Sequence, residues 1–206
     1  MVPNSIRIAF IGSRSLHKHS GLEKDIQLSE KVCYRMAELG IIGISGLCEH
    51  GMDAIMQTEY SRAINEGKAY PGQIEVYVAD IRQIHKSSLL KRNLAKMRNP
   101  ALVAKTEQIA AHYHPNWNNC STYAKKLLSR NAHIIFGYNL DRPVDAVITW
   151  CELDNFGQPK GGTATALKMA FDRQIPVFNL YLPDKAETLD QISRFLKRKN
   201  IRIKAE

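Results

Sequence analysis

The 206-residue chain has only four cysteines, Cys33, Cys48, Cys120 and Cys151. No two of them form a C-x-x-C pair or share a regular spacing, which argues against a disulfide framework and for reduced thiols in a cytosol. Long apolar runs are missing too. None approaches the roughly 20 residues needed to cross a bilayer, so no membrane association is expected. The opening stretch MVPNSIRIAFIG shows no charged n-region, apolar h-region or cleavage site, and a cytoplasmic location is expected. Internal repeats, low-complexity segments and cofactor fingerprints are likewise absent, and no cofactor is expected.

Acidic residues are missing where it matters most. Between Asp80 and Glu107 there is none, while Arg82, Lys86, Lys91, Arg92, Lys96, Arg98 and Lys105 supply seven positive charges. Six more, Arg194, Lys197, Arg198, Lys199, Arg202 and Lys204, crowd the C-terminal stretch. The net charge of +9 is therefore confined to segments 82–105 and 194–204, and the rest of the chain is net acidic. Such segments attract polyanions, single-stranded DNA among them, or else form solvated helix faces.

What is present is enough apolar material, 44% of the residues, for one sizeable core. A single domain over residues 1–206 is expected, with a basic, largely helical insert at about 81–131. Runs rich in Ile, Val and Phe predict strands at 7–12, 41–45, 74–78, 144–150 and 175–180. Helical patterns fall between them. Ser20 and Glu23 read as a capping box opening the first helix, which stops near Gly40. Further helices are expected from Gly51 or Met52 to Asn65, and at 101–113, 121–130, 163–173 and 186–199. This alternation predicts an α/β, Rossmann-like doubly wound fold: a mostly parallel sheet with helices on both faces, binding ligands at the carboxyl ends of its strands.

Three of those strand ends carry small or polar residues suited to phosphate. Gly12-Ser13-Arg14-Ser15 follows the first strand, with glycine for close backbone approach, serine as a donor and arginine as a bidentate grip. Ser45-Gly46 through Gly51-Met52-Asp53 bridges the second strand to its helix and aims free N–H groups at one point, with Asp53 placed to cap the helix or read a ribose hydroxyl. Lys160-Gly161-Gly162-Thr163-Ala164-Thr165 opens a helix after the strand ending at Trp150, where Thr163 also fits a plain N-cap. Cys48, Glu49 and His50, adjacent in a turn, do not meet the tetrahedral requirement of a metal, and no metal site is expected. His112, His114 and Trp117 suit either a base-stacking, acid–base cluster or a structural loop anchor. Trp150 ends a buried strand, as core residue or as a platform for a base. His17 and His19 read as solvent-facing.

The segment SGLCEHGMDAI resembles the S-G-x-A-x-G-I-D signature of the DNA-processing protein A (Smf, DprA) family. GSR near the N-terminus, Arg130-Asn131 and GGTATA resemble the GSR, R-N and G-G-x-G-T pattern of the YspA-like branch. These belong with the Lonely Guy phosphoribohydrolases to the SLOG superfamily of Rossmann-like domains. The similarity runs from about Ile6 to Leu180 and is closest to the DprA-like proteins often encoded by bacteriophages, which places the protein in host cytoplasm if it is phage-encoded. The resemblance implies that Gly12, Ser13, Arg14, Ser45, Gly46, Gly51, Asp53, Arg130, Asn131, Gly161, Gly162, Thr163 and Thr165 surround a nucleotide-like ligand, with Trp150 a further candidate.

One departure bears on chemistry. The Lonely Guy motif P-G-G-x-G-T-x-x-E ends in the glutamate required for glycosidic cleavage; here its proline position is Lys160, its middle glycine Ala164 and its glutamate Lys168. Phosphate binding survives that change and the same carboxylate-assisted cleavage does not. Glu152 is then the candidate catalytic carboxylate if the protein is an enzyme, with Asp53 second. Three functions follow: a nucleotide-binding module for sensing or sequestration, an N-glycosidase or phosphoribohydrolase on a nucleoside monophosphate or derivative, and a single-stranded DNA-binding recombination mediator. A homo-oligomer is expected.

Overall fold

A computed structural model describes residues 6–17, 20–80, 94–96 and 100–201, the last-but-one group by backbone only. Most of the basic segment 82–105, together with His19, Arg202 and Lys204, lies outside the described residues.

The strands are β1 (Arg7–Gly12), β2 (Ile42–Gly46), β3 (Ile74–Val78), β4 (Leu94–Lys96), β5 (Ala146–Trp150) and β6 (Val177–Asn179). They form one sheet in the order β4-β3-β2-β1-β5-β6, and every neighbouring pair is parallel. The helices are α1 (Glu23–Glu38), α2 (Met52–Asn65), α3 (Pro100–Tyr113), α4 (Thr122–Phe136), α5 (Gly161–Asp172) and α6 (Lys185–Arg198). Alternate residues of each central strand enter different cores, as a sheet buried on both faces requires. Ile8, Phe10, Ile148 and Trp150 join α1, α2 and α6 on one side, while Ala9, Ile11 and Val147 join α3, α4 and α5 on the other. The doubly wound fold expected from the sequence is the observed one.

Four local expectations are corrected. The first helix begins at Glu23 behind an N-cap, Leu22, that makes no side-chain bond. Gly21, at φ +88°, makes the entry turn, and the Glu23 carboxylate reaches back to the Gly21 N–H instead of pairing with Ser20. Helix α5 starts at Gly161 rather than Thr163: Gly161 adopts φ +68°, and Lys160 occupies the N-cap position without a side-chain bond. Thr163 thus lies within the first turn and caps nothing. Helix α4 runs past Arg130 to Phe136 because Ser129, Arg130, Asn131 and His133, polar enough to suggest a loop, are buried along it. Ser129 satisfies its hydroxyl on the Lys125 carbonyl within the helix. Strand β4, three residues at the sheet edge, carries no apolar alternation to announce it.

The strand order reverses between β1 and β5. From β1 the chain winds outward through β2 to β3 and β4, and from β5 it winds the other way to β6. This is the topological switch point at which sheets of this class bind ligands.

Candidate functional site

At the switch point Gly12 is in register with Trp150, and the Ser13 N–H donates to the Trp150 carbonyl at 2.9 Å. Little room is left there: a Cβ on Gly12 would stand 2.8 Å from both the Met52 Cβ and the Trp150 carbonyl oxygen. The β1 turn folds on itself, with the Ser13 hydroxyl accepting from the Ser15 N–H. Arg14 points outward and is exposed.

The β2 turn is pinned against the β1 turn. Gly51 adopts φ +81°, and a Cβ on it would meet the Ser13 carbonyl oxygen at 2.7 Å, so glycine is required by backbone conformation and by space. Its N–H donates to His17 Nδ1 at 2.9 Å. His17 is exposed, as its sequence context suggests, yet it staples the two glycine turns together. Burial and the neighbouring His50 ring hold its pKa below the ordinary imidazole value, which keeps Nδ1 free to accept.

Asp53 lies in the first turn of α2 and is 4% exposed. Its carboxylate accepts from the Gly46 N–H at 2.9 Å and is also held by the backbone of Gly12 and by its own N–H. A single side chain therefore ties the ends of β1 and β2 to α2. Burial nevertheless dominates these bonds and the attraction of Arg130, and pushes the Asp53 carboxyl up to about 6. Gln57, one helical turn on, completes the fastening: its amide donates to the Asp53 and Gly46 carbonyls at 2.8 and 3.0 Å and approaches the Ser45 hydroxyl at 3.4 Å. Gln57 was not singled out from the sequence, although its i+4 spacing from Asp53 is a signal that could have found it.

Helix α4 brings Arg130 to the same place. Its guanidinium lies flat on Gly46: a Cβ there would fall 2.2 Å from the guanidinium carbon. The residue is 5% exposed, and its Nε is buried without a partner. Nη1 donates to Cys48 Sγ at 3.6 Å, and Nη2 to the Asn131 amide oxygen at 3.3 Å. Among the described residues no carboxylate lies within ion-pair distance of it. Asn131 in turn reaches the Gly162 carbonyl at 3.4 Å, which joins α4 to the first turn of α5. Gly161 and Gly162 are exposed there, and no side chain caps that turn. Thr163 is half-buried beside them, Thr165 is buried, and the Thr149 hydroxyl at the end of β5 is buried without a partner.

The three glycine turns and the Arg130-Asn131 pair, up to 150 positions apart in sequence, thus form one contact network. Other residues fall outside it. Trp150 is 1% exposed, donates from its indole nitrogen to Asp25 at 2.7 Å and stands edge-on to Tyr181. It belongs to the core and offers no face to a base, a correction to its reading as a stacking platform. Glu152 is half-buried at the start of a tight loop, its carbonyl accepting from the Lys160 N–H. His112 packs edge-on against Tyr113, His114 accepts from the Asn116 N–H, and the Lys125 ammonium lies over the half-buried Trp117. These contacts join the end of α3, the loop that follows it and α4.

The chemistry available is that of an anion cradle. Arg130 supplies a desolvated charge, and the first turn of α5 supplies free N–H groups at the positive end of its dipole. Gly162, where a Cβ would meet nothing closer than 4.0 Å, leaves the backbone open to a ligand, while Gly12 and Gly46 give their space to Met52, Trp150 and Arg130. Burial pushes the thiols of Cys48 and Cys151 up, Cys151 to about 11, so neither is a thiolate at neutral pH. Among the described residues no group of three metal-ligating side chains is present, and no helix is long and apolar enough to cross a membrane. A scan against family models found no match, and searches of curated proteins and of solved structures found none either.

Proposed function

We propose that this protein binds a nucleotide or nucleotide-derived molecule at the switch point, in sensing or sequestration, and that it is a DprA-like member of the SLOG superfamily of the kind bacteriophages often encode. The observation that carries the reading is the Arg130 guanidinium, buried on Gly46 with an unpartnered Nε and no ion-pair partner among the described residues. A buried cation costs several kcal/mol unless an anion joins it, and a phosphate seated between Arg130 and the first turn of α5 supplies that anion. Asp53 attracts Arg130, but no ion-pair contact joins the two, and its carboxylate is hydrogen-bonded to the backbone of Gly46 and Gly12. It builds the cradle, and a phosphate in direct contact would add the bidentate partner that the guanidinium lacks.

The reading is tested by titration calorimetry of the purified protein against a panel of nucleoside mono-, di- and triphosphates, followed by mass spectrometry of the recovered ligand. Retention of an intact nucleotide supports it. Failure of every phosphate-bearing member to bind overturns it, and release of a free base transfers it to a hydrolase.

A further inference from the structure

A concave region lies at the opposite end of the sheet from the switch point. A half-open cleft of about 740 Å³ is enclosed by α3, the end of α4, the loop leading to β5 and the turn from α5 to β6. Its floor is apolar: Ile109 is half-buried, and Phe136, Val144 and Ile175 are buried. Interiors pack without voids of this size, whereas small-molecule sites fall in the range of roughly 300–1,000 Å³. Its walls carry the rings of His112 and Tyr113.

The charges at its mouth are unequal. Lys105 and Arg173 stand on it, against Asp141 as the one acid in the lining. Lys105 has no acidic partner among the described residues. Asp172, just outside, accepts from the Tyr113 hydroxyl at 2.8 Å and lies 4.0 Å from Arg173 Nε. The Arg173 guanidinium stands over the Phe136 ring at 5.5 Å, which places its charge above the apolar floor. An apolar, ring-lined floor beneath two cations matches one ligand chemistry: an aromatic body carrying a single carboxylate, sulfonate or similar anionic head.

We infer that this cleft is a separate binding site for a small aromatic anion. It is distinct from the glycine turns at the switch point because α5 begins at one and ends at the other, and its twelve residues span about 18 Å. The inference does not depend on what the glycine turns bind.

The test uses a matched pair of fluorescent probes, 8-anilinonaphthalene-1-sulfonate and the uncharged N-phenyl-1-naphthylamine. The anion should bind the wild-type protein at one site per chain and roughly tenfold or more tighter than the neutral probe. Lys105→Glu with Arg173→Glu, both exposed and safe for the fold, should weaken the anion by roughly tenfold or more and leave the neutral probe within about twofold. Gly162→Asp, at the far end of α5, should leave anion affinity unchanged. Equal affinities for the two probes, an undiminished anion in the double variant, several sites per chain, or loss of the anion in Gly162→Asp would each overturn it.

Discussion

Gly162 and Gly46 separate ligand binding from folding because a side chain has different room at each. A Cβ on Gly162 meets nothing closer than Leu128 at 4.0 Å, so Gly162→Asp should fold normally. It places a carboxylate beside the phosphate position, where like charges a few ångströms apart cost on the order of a few kcal/mol. Nucleotide binding should disappear from calorimetric titrations while the thermal melt stays put; retained affinity would show that the first turn of α5 does not hold phosphate. Gly46→Ala acts on the cation instead. Its methyl would occupy the guanidinium's position, and the far end of a flexible side chain can move away. A charge-assisted bond is worth roughly 1.5–3 kcal/mol, so affinity should drop about ten- to a hundredfold with little change in stability. An unaltered dissociation constant would remove Arg130 from the site.

Asp53 titrates in a window that stability measurements can reach. Its folded-state pKa, about 6, exceeds the ordinary carboxylate value because burial penalises the charge. The folded state therefore holds the proton more tightly than the unfolded chain. That contribution is complete below about pH 4 and is lost as pH rises through 6, on the order of 3 kcal/mol for a difference near two units. Asp53→Asn cannot ionise. Relative to wild type it should be more stable at pH 7.5 than at pH 4.5, read from urea unfolding at both values; a difference independent of pH would contradict the assignment.

Among the elements, α6 shows why a basic stretch is not automatically a polyanion site. Arg194 pairs with Glu187 and Asp190 at 2.9 and 2.8 Å, and Lys199 pairs with Asp145 at 2.6 Å. Lys197 and Arg198 have no acidic partner among the described residues. If the chain associates with single-stranded DNA, binding should be sequence-independent and fall steeply with salt. Lys197→Gln with Arg198→Gln should then flatten the salt dependence by about one to two contacts' worth, and Arg194→Gln should alter it far less. Equal effects from the two variants would show that the ion pairs of Arg194 do not persist in solution. The 152–160 loop is another element with a testable role, since Glu152 opens it beside α5. Should wild type release free base from a nucleotide, Glu152→Gln should abolish turnover with affinity retained, because Lys168 stands where the glycosidase carboxylate would be. Turnover surviving in that variant would move the chemistry to another group.

At the scale of the whole molecule, the strand–helix alternation and the glycine turns were legible in the chain because they depend on local pattern. Arg7–Gly12 carries the apolar run Ile8–Ile11 and Ile74–Val78 carries Val76–Val78 beyond Glu75, and a parallel sheet buried on both faces needs such runs. The three turns were legible because glycine and small polar residues after such a run have few other uses. The roles within the site were not. Asp53 and Trp150 sit at the expected strand ends, but which way each side chain turns was decided by packing: Asp53 toward the N–H groups of Gly46 and Gly12, Trp150 toward Asp25 in the core. The continuation of α4 through Arg130 also escaped local pattern, since polar residues buried in a helix look like a loop until their partners are known. The sequence by itself determined the order of elements and the positions of its glycines. Only the tertiary structure decided that Arg130, 84 residues from Gly46 in the chain, lies on it with no ion-paired carboxylate among the described residues, because burial and long-range contact are properties of the folded chain alone.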